Sequence, residues 1–263
     1  KKSGLLRKGY YLEKYHADKP DEAITSYETA IAGDYLGTDI YWLDPAQPGS
    51  EKLLLQVDGA GWSVTDISPD EKSLLVYNYM SANQSALYLV DVATGQKKAL
   101  TNSEEKVAYS GAHFMPDGKS ILFTSDKDSE FLHLIRMDLA SGKQEVLTPG
   151  LAWDVSGFEV SGDGRMLAYV VNEAGVERLH MRDLRARRLV KLPPLPAGTL
   201  SGLSFHSNHR DLAFTLSSSR SSSDCYSVDA YNGRLTRWTQ SETGGLDANN
   251  FANPELIHWK SFD

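Results

Sequence analysis

A short turn recurs along this chain at a nearly constant interval, and that interval constrains the fold more than any other feature. Four segments align: Asp66-Ile-Ser-Pro-Asp-Glu-Lys-Ser-Leu-Leu-Val-Tyr77, His113-Phe-Met-Pro-Asp-Gly-Lys-Ser-Ile-Leu-Phe-Thr124, Val160-Ser-Gly-Asp-Gly-Arg-Met-Leu-Ala-Tyr169 and Phe205-His-Ser-Asn-His-Arg-Asp-Leu-Ala-Phe214. Their turn residues Asp70, Asp117, Asp163 and Asn208 are 47, 46 and 45 residues apart. A second mark keeps the same beat. Asp44, Asp91, Asp138, Asp183 and Asp229 each follow an apolar run, with spacings of 47, 47, 45 and 46. Three of them lead to Gly95, Gly142 or Gly233, where glycine supplies the positive φ of a tight hairpin. The turn after Asp183 breaks this pattern with Leu-Arg-Ala-Arg-Arg, and the one after Asp44 with Pro-Ala-Gln-Pro-Gly.

One period holds four short strands. In the second, they are expected at 107–114, 120–125, 132–138 and 144–148. The third strand is apolar on both faces in several periods, as in Ala86-Leu-Tyr-Leu-Val90 and Ile40-Tyr-Trp-Leu43. A strand buried on both faces reads this way. Stacking blades produces that burial, and a repeat of about 46 residues suits it. The fold class expected is all-β: a β-propeller of four-stranded blades, five to six present, the ring complete or incomplete. A β-sandwich has no reason to keep so regular a spacing. Residues 1–39 match the template poorly, with Tyr10–Tyr15 and Ser26–Ile31 as candidate strands of a first blade.

In such a blade the Pro-Asp-Gly and Asp-to-Gly turns share one face. The longer connections share the other: Asn78–Ala86, Asp126–Glu130, Leu216–Asp224 and, between blades, Thr101–Lys106. The longer loops make that the expected binding face. The serine-rich run 217–223 reads as a mobile loop.

Chemistry is scarce. No Gly-x-Ser-x-Gly elbow, P-loop, dinucleotide fingerprint or His-Glu-x-x-His occurs, and no catalytic residue is assigned to this chain. Asp126-Lys-Asp128 opens like a calcium loop but lacks its glycine and closing glutamate, so it reads as a polar turn. His206 and His209 lack convergent ligands and read as an exposed turn. No metal and no cofactor is expected. Cys225 is the only cysteine, which excludes an internal disulfide; it reads as a small core residue. The net charge of −8 disfavours nucleic acid as a general partner. No apolar run reaches the length of a membrane helix, so no membrane partner is expected, and the compartment is the cytoplasm or the periplasm. Arg178, Arg182, Arg185, Arg187, Arg188 and Lys191 form a basic cluster. It reads as a solvated outer strand and turn, with an anion or partner site as the second reading. Glu104 and Glu105 are the candidate substrate-binding residues. Paired carboxylates can hold a substrate ammonium group, though on an interblade loop they also read as solvated charges.

The repeats Ile67-Ser-Pro-Asp70 and Met115-Pro-Asp-Gly118, each leading into a strand, resemble those of TolB-like propellers. The C-terminal stretch Ser241-Glu-Thr-Gly-Gly-Leu-Asp247 and Phe251-Ala-Asn-Pro-Glu-Leu-Ile-His-Trp-Lys-Ser-Phe-Asp263 resembles the junction at which members of the prolyl oligopeptidase family leave their propeller for the hydrolase domain. The resemblance implies a propeller over residues 1–247, with 248–263 as linker and start of an α/β-hydrolase domain. It implies a non-catalytic domain that caps a serine peptidase active site and limits access to short peptides. The catalytic residues would then lie beyond Asp263. The implied partners are the C-terminal hydrolase domain of the same polypeptide and short peptide substrates. An open ring adds pairing as a homodimer through unpaired strand edges. The family's double-glutamate amine anchor sits in a helical insertion that this sequence lacks. The alternative is a free-standing TolB-like propeller that mediates protein–protein interaction.

Overall fold

The computed structural model describes residues 10–12, 23–31, 34–43 and 49–260, with side chains from Asp39 onward. Among them the chain forms five four-stranded antiparallel sheets, each a meander of consecutive strands. The first holds β1 (Tyr10–Leu12), β2 (Ala23–Ile31), β3 (Asp34–Leu43) and β4 (Lys52–Leu55). The second holds β5 (Trp62–Ile67), β6 (Ser73–Ser81), β7 (Gln84–Asp91) and β8 (Lys97–Ala99). The third holds β9 (Tyr109–Phe114), β10 (Ser120–Ser125), β11 (His133–Asp138) and β12 (Gln144–Val146). The fourth holds β13 (Val155–Val160), β14 (Met166–Glu173), β15 (Val176–Asp183) and β16 (Arg188–Leu189). The fifth holds β17 (Thr199–Phe205), β18 (Asp211–Ser218), β19 (Ser221–Asp229) and β20 (Leu235–Arg237). These are the four-stranded blades of a β-propeller. The chain divides into two compact units, Lys1–Pro149 with three blades and Gly150–Asp263 with two.

Alternation of side chains explains the stacking within each unit. Along β6, Leu74 and Val76 join Ile40, Trp62 and Tyr88 in one core, while Leu75 joins Leu87, Ile121 and Phe123 in the next. A period of two thus fills both faces of one strand. In the second unit Met166, Ala168 and Val170 of β14 pack with Leu212, Phe214 and Val228.

The two turn marks lie side by side. The residue after each strand-three aspartate donates to the backbone of the preceding turn: Val92 to Lys72 (2.9 Å), Leu139 to Lys119 (3.0 Å), Leu184 to Arg165 (2.8 Å) and Ala230 to Arg210 (3.0 Å). The aspartates recur because each carboxylate caps its own turn. Asp91 accepts from the Thr94 N–H and hydroxyl, Asp138 from those of Ser141, and Asp229 from the N–H groups of Tyr231 and Asn232. Both turns hold one residue at positive φ. Gly118 and Gly164 take it in the first turn, but Glu71 (60°) and His209 (58°) stand at the same place elsewhere. In the second turn Arg187 (53°) stands where Gly95, Gly142 and Gly233 stand.

A further contact closes three of the blades. Four residues before each strand-three aspartate, an N–H donates to a threonine hydroxyl oxygen: Leu87 to Thr101 (2.9 Å), Leu134 to Thr148 (3.0 Å) and Cys225 to Thr239 (2.9 Å). The carbonyls of the same three residues accept from Leu100, Leu147 and Trp238.

Three expectations are corrected. Residues 78–86 are no long loop, because β6 and β7 run to a tight turn and pair from Ser73↔Asp91 to Ser81↔Gln84. The serine-rich run is likewise strand, with Ser218 opposite Ser221. Cys225 is exposed. Asp224 and Tyr226 are buried on the inner face of β19, so the residue between them points outward. The first-blade strand expected to reach Tyr15 is described only over Tyr10–Leu12, and its remainder lies outside the described residues.

Candidate functional site

Two loops of the first unit, 100–108 and 126–132, meet beside β9. Thr101 is buried by its bond to Leu87, and the chain then turns outward. Asn102 organises the turn: its side-chain oxygen accepts from the Glu104 N–H (3.0 Å) and its amide donates to Glu105 (3.4 Å). Gln84 holds the Ser103 carbonyl at 3.0 Å. Behind this loop the Ser85 hydroxyl donates to the Tyr109 carbonyl and accepts from the Tyr109 N–H. From the third blade Asp126 accepts from the Ala108 N–H (2.8 Å), and the next residue, Lys127, reaches Glu105 at 2.9 Å.

The two glutamates therefore differ. The Lys127 ammonium, donating to Glu105, holds that carboxyl below its usual value, and Glu105 in turn raises the Lys127 pKa. The Glu104 side chain is exposed. The partnership with Lys127 has a trace in the sequence only in hindsight: Asp126-Lys-Asp128 reads as a polar turn, and it is one. Tyr109 is buried edge-on against Phe123, 5.8 Å between centroids, and burial raises its phenol pKa. His113 stands 3.7 Å from Asp66, whose other contacts include the Phe114 N–H at 2.8 Å.

No set of His, Cys, Asp and Glu side chains among the described residues could hold a metal ion. His206 is exposed and its Nδ1 accepts from Asn208, while His209 packs over Gly162. Ser110 and Ser204, each in a short serine-containing run that faintly suggests an elbow, lie within inner strands instead of at a strand-to-helix turn.

The chain leaves the fifth blade through a buried carboxylate. Asp224 is fully buried and accepts from Thr239 (2.8 Å), Ser241 N–H (2.8 Å), Arg237 and Ser221. These hydrogen bonds, that from Ser221 foremost, hold its pKa well below the carboxylate range. Beyond this anchor Asp247 caps a single turn, Ala248–Asn250, and residues 251–260 form no strand. Leu256, Ile257 and Trp259 are 62%, 67% and 80% exposed.

The model of the prolyl oligopeptidase N-terminal beta-propeller domain matches residues 43–241. The chain belongs to this family. The match runs from the end of β3 to the Asp224 anchor, and so covers the four blades with the regular repeat. No curated protein matches the sequence. Among solved structures, the propeller is similar to a puromycin-hydrolysing peptidase of Mycobacterium tuberculosis, at 18% identity over 95% of this chain and 40% of that one, with a TM-score of 0.73. It is similar to a prolyl endopeptidase at 15% identity over 88% of this chain and 35% of that one, TM-score 0.72. It is also similar to TolB of Acinetobacter baumannii at 21% identity over 84% and 52%, TM-score 0.58. At these identities the likeness concerns the fold, and the propeller spans between a third and about half of each of those chains.

Proposed function

We propose that this propeller is the gate of a prolyl-oligopeptidase-type serine peptidase. In this reading it covers an α/β-hydrolase domain of the same polypeptide and admits short or unstructured peptides while excluding folded ones. The observation that carries the reading is the family match over 43–241, to a domain described as N-terminal. Two features support it. The sequence contains no Gly-x-Ser-x-Gly elbow, and the chain spans 35% and 40% of the two peptidase chains it resembles. Residues 248–263 then serve as linker and first hydrolase segment, which gives the exposed Leu256, Ile257 and Trp259 a body to pack against. Within this reading Glu104 and Glu105 meet the amino group of an entering peptide, with Glu105 also bound to Lys127.

The test is the intact mass of the native polypeptide combined with labelling by a serine-reactive fluorophosphonate. A mass well above 29.1 kDa, with the label outside residues 1–263, is the expected result. A mass near 29.1 kDa without label sinks the reading. That outcome favours a free-standing, partner-binding propeller, the reading that the likeness to TolB supports. Given a peptidase, Glu104→Gln should raise KM for peptides with a free amino group and leave their N-acetylated forms unchanged.

A further inference from the structure

The fourth blade departs from the closure used by three others. The residue four before its aspartate is Leu179, and the residue ten after Asp183, where the threonine belongs, is Pro193. Proline has no hydroxyl to accept from Leu179. The preceding Leu192 N–H, unlike those of Leu100, Leu147 and Trp238, makes no bond to the strand-three carbonyl. The neighbours on either side are held. Met181 accepts from the Val190 N–H (2.8 Å), and Glu177 donates to the Gly198 carbonyl (2.9 Å). Alternate residues of a strand turn their backbone groups the same way, so Leu179 offers its N–H and C=O to the same edge. Between those two fastenings the segment Leu192-Pro-Pro-Leu-Pro196 leaves the strand.

A cavity of about 260 Å³ opens at this place, walled by Leu179, His180, Leu189, Leu192 and Leu195 together with Glu177, whose carboxylate accepts from the Leu200 N–H and the Ser156 hydroxyl, and Arg178, paired with Glu173. His180 stacks on Tyr169 at 5.1 Å, and its Nε2 is buried without a hydrogen-bond partner. A Glu173 carboxylate oxygen stands 3.8 Å from that nitrogen. Arg188 and Lys191 are exposed and adjoin the lining residues Leu189 and Leu192 along the chain, Arg185 and Arg187 are exposed on the turn before them, and none of the ion pairs among the described residues involves these four. The cavity therefore joins one unpaired position of a strand edge, largely apolar walls and neighbouring exposed cations, on a chain whose net charge is −8.

We propose that this edge of the fourth blade binds a short extended peptide segment bearing acidic side chains. One residue of that segment pairs with the N–H and C=O of Leu179, as the apolar–threonine pair does in the sister blades. An adjacent apolar side chain fills the space between Leu189, Leu192 and Leu195. The acidic groups face Arg188 and Lys191. Addition of a strand to an exposed edge draws affinity from main-chain bonds and selectivity from pockets, and the charge complementarity sets the partner's sign. A simple anion would leave the Leu179 carbonyl and the leucine walls unmatched. The proposal is independent of the peptidase reading.

The test uses the whole chain and a fluorescent, end-blocked hexapeptide alternating leucine and glutamate, with a leucine–lysine counterpart. The glutamate peptide should bind with an affinity that falls with salt, and the lysine peptide about tenfold more weakly or worse. Hydrogen exchange of the Leu179 amide should slow on binding, with the Leu87 and Leu134 amides unchanged. Pro193→Thr restores the missing acceptor and should weaken the glutamate peptide about tenfold without lowering the unfolding midpoint. The double variant Arg188→Glu, Lys191→Glu tests these cations independently and should abolish the preference for the acidic peptide. Three results overturn the proposal: no binding of the glutamate peptide, binding that neither variant alters, or a Leu179 amide as protected in the free chain as those of Leu87 and Leu134.

Discussion

Replacing Thr101 by valine isolates the threonine closure. Valine keeps the volume and β-branched shape of threonine, so the second blade keeps its packing and loses one acceptor. Leu87, whose N–H uses that acceptor at 2.9 Å, is fully buried, and Thr101 is 9% exposed. Water cannot replace the lost partner without opening the edge. A buried N–H left unsatisfied costs about 1–3 kcal/mol, against a total stability of roughly 5–15 kcal/mol for a folded domain. In urea, with a slope of roughly 2–3 kcal/mol/M, the midpoint should fall by about 0.5–1 M. The Leu87 amide should exchange roughly tenfold faster or more, since each 1.4 kcal/mol is a factor of ten. Thr148→Val should reproduce the effect through Leu134. Thr239→Val should exceed it, because that hydroxyl also donates to Asp224 at 2.8 Å. An unchanged midpoint with Leu87 as protected as before would refute the closure as a stabilising contact, and with it the idea that its absence at Leu179 matters.

Glu71→Gly should stabilise the chain by about 1 kcal/mol, because glutamate stands at φ 60° where glycine carries no steric cost; a thermal midpoint that does not rise contradicts this. Arg187→Gly should gain similarly from φ 53°, and the same melting experiment checks it. Asp229 is held at about 2, chiefly by the hydrogen bond from Arg210. A depressed carboxylate stabilises above its unfolded pKa, so this contribution is complete above about pH 4 and is lost as pH falls from about 4 to about 2. Arg210→Ala should lower stability above pH 4 and flatten that decline, read from urea midpoints across the range. Gly198→Ala puts a methyl group onto the Ser217 carbonyl oxygen and should cost about 1–3 kcal/mol by denaturant midpoint.

The strands of the third blade are legible in the sequence because two punctuation marks bracket them. The Pro-Asp-Gly turn ends at Lys119 and β10 begins at Ser120; Asp138 ends β11 at the expected residue. Where apolar content fades the reading fails for a physical reason. Tyr79, Met80 and Ser81 continue β6 into solvent, held by cross-strand hydrogen bonds to β7 and not by burial, and hydropathy does not register backbone pairing. Cys225 fails in the opposite sense, since a cysteine in a strand reads as core by composition while the pleat assigns its face by parity with Asp224 and Tyr226.

The partner of Glu105 is not legible in the sequence: Lys127 lies 22 residues away and meets it only because successive blades bring their loops together. The threonine closure is the more instructive case. Leu100-Thr101, Leu147-Thr148 and Trp238-Thr239 stand in the sequence at one offset from their aspartates, and Leu192-Pro193 stands at the same offset in the fourth period. A threonine at a strand end satisfies β-propensity and attracts no notice. Once its hydroxyl is seen to replace a ladder partner, the proline ceases to be a neutral change: it removes an acceptor, turns the chain away from β15 and leaves one half-buried edge residue without its lateral bonds. The same blade also gives up the glycine of its second turn for Arg187 and gathers exposed cations beside the gap. Two departures from a repeat that the second, third and fifth blades keep, both on one edge, are what a binding edge requires.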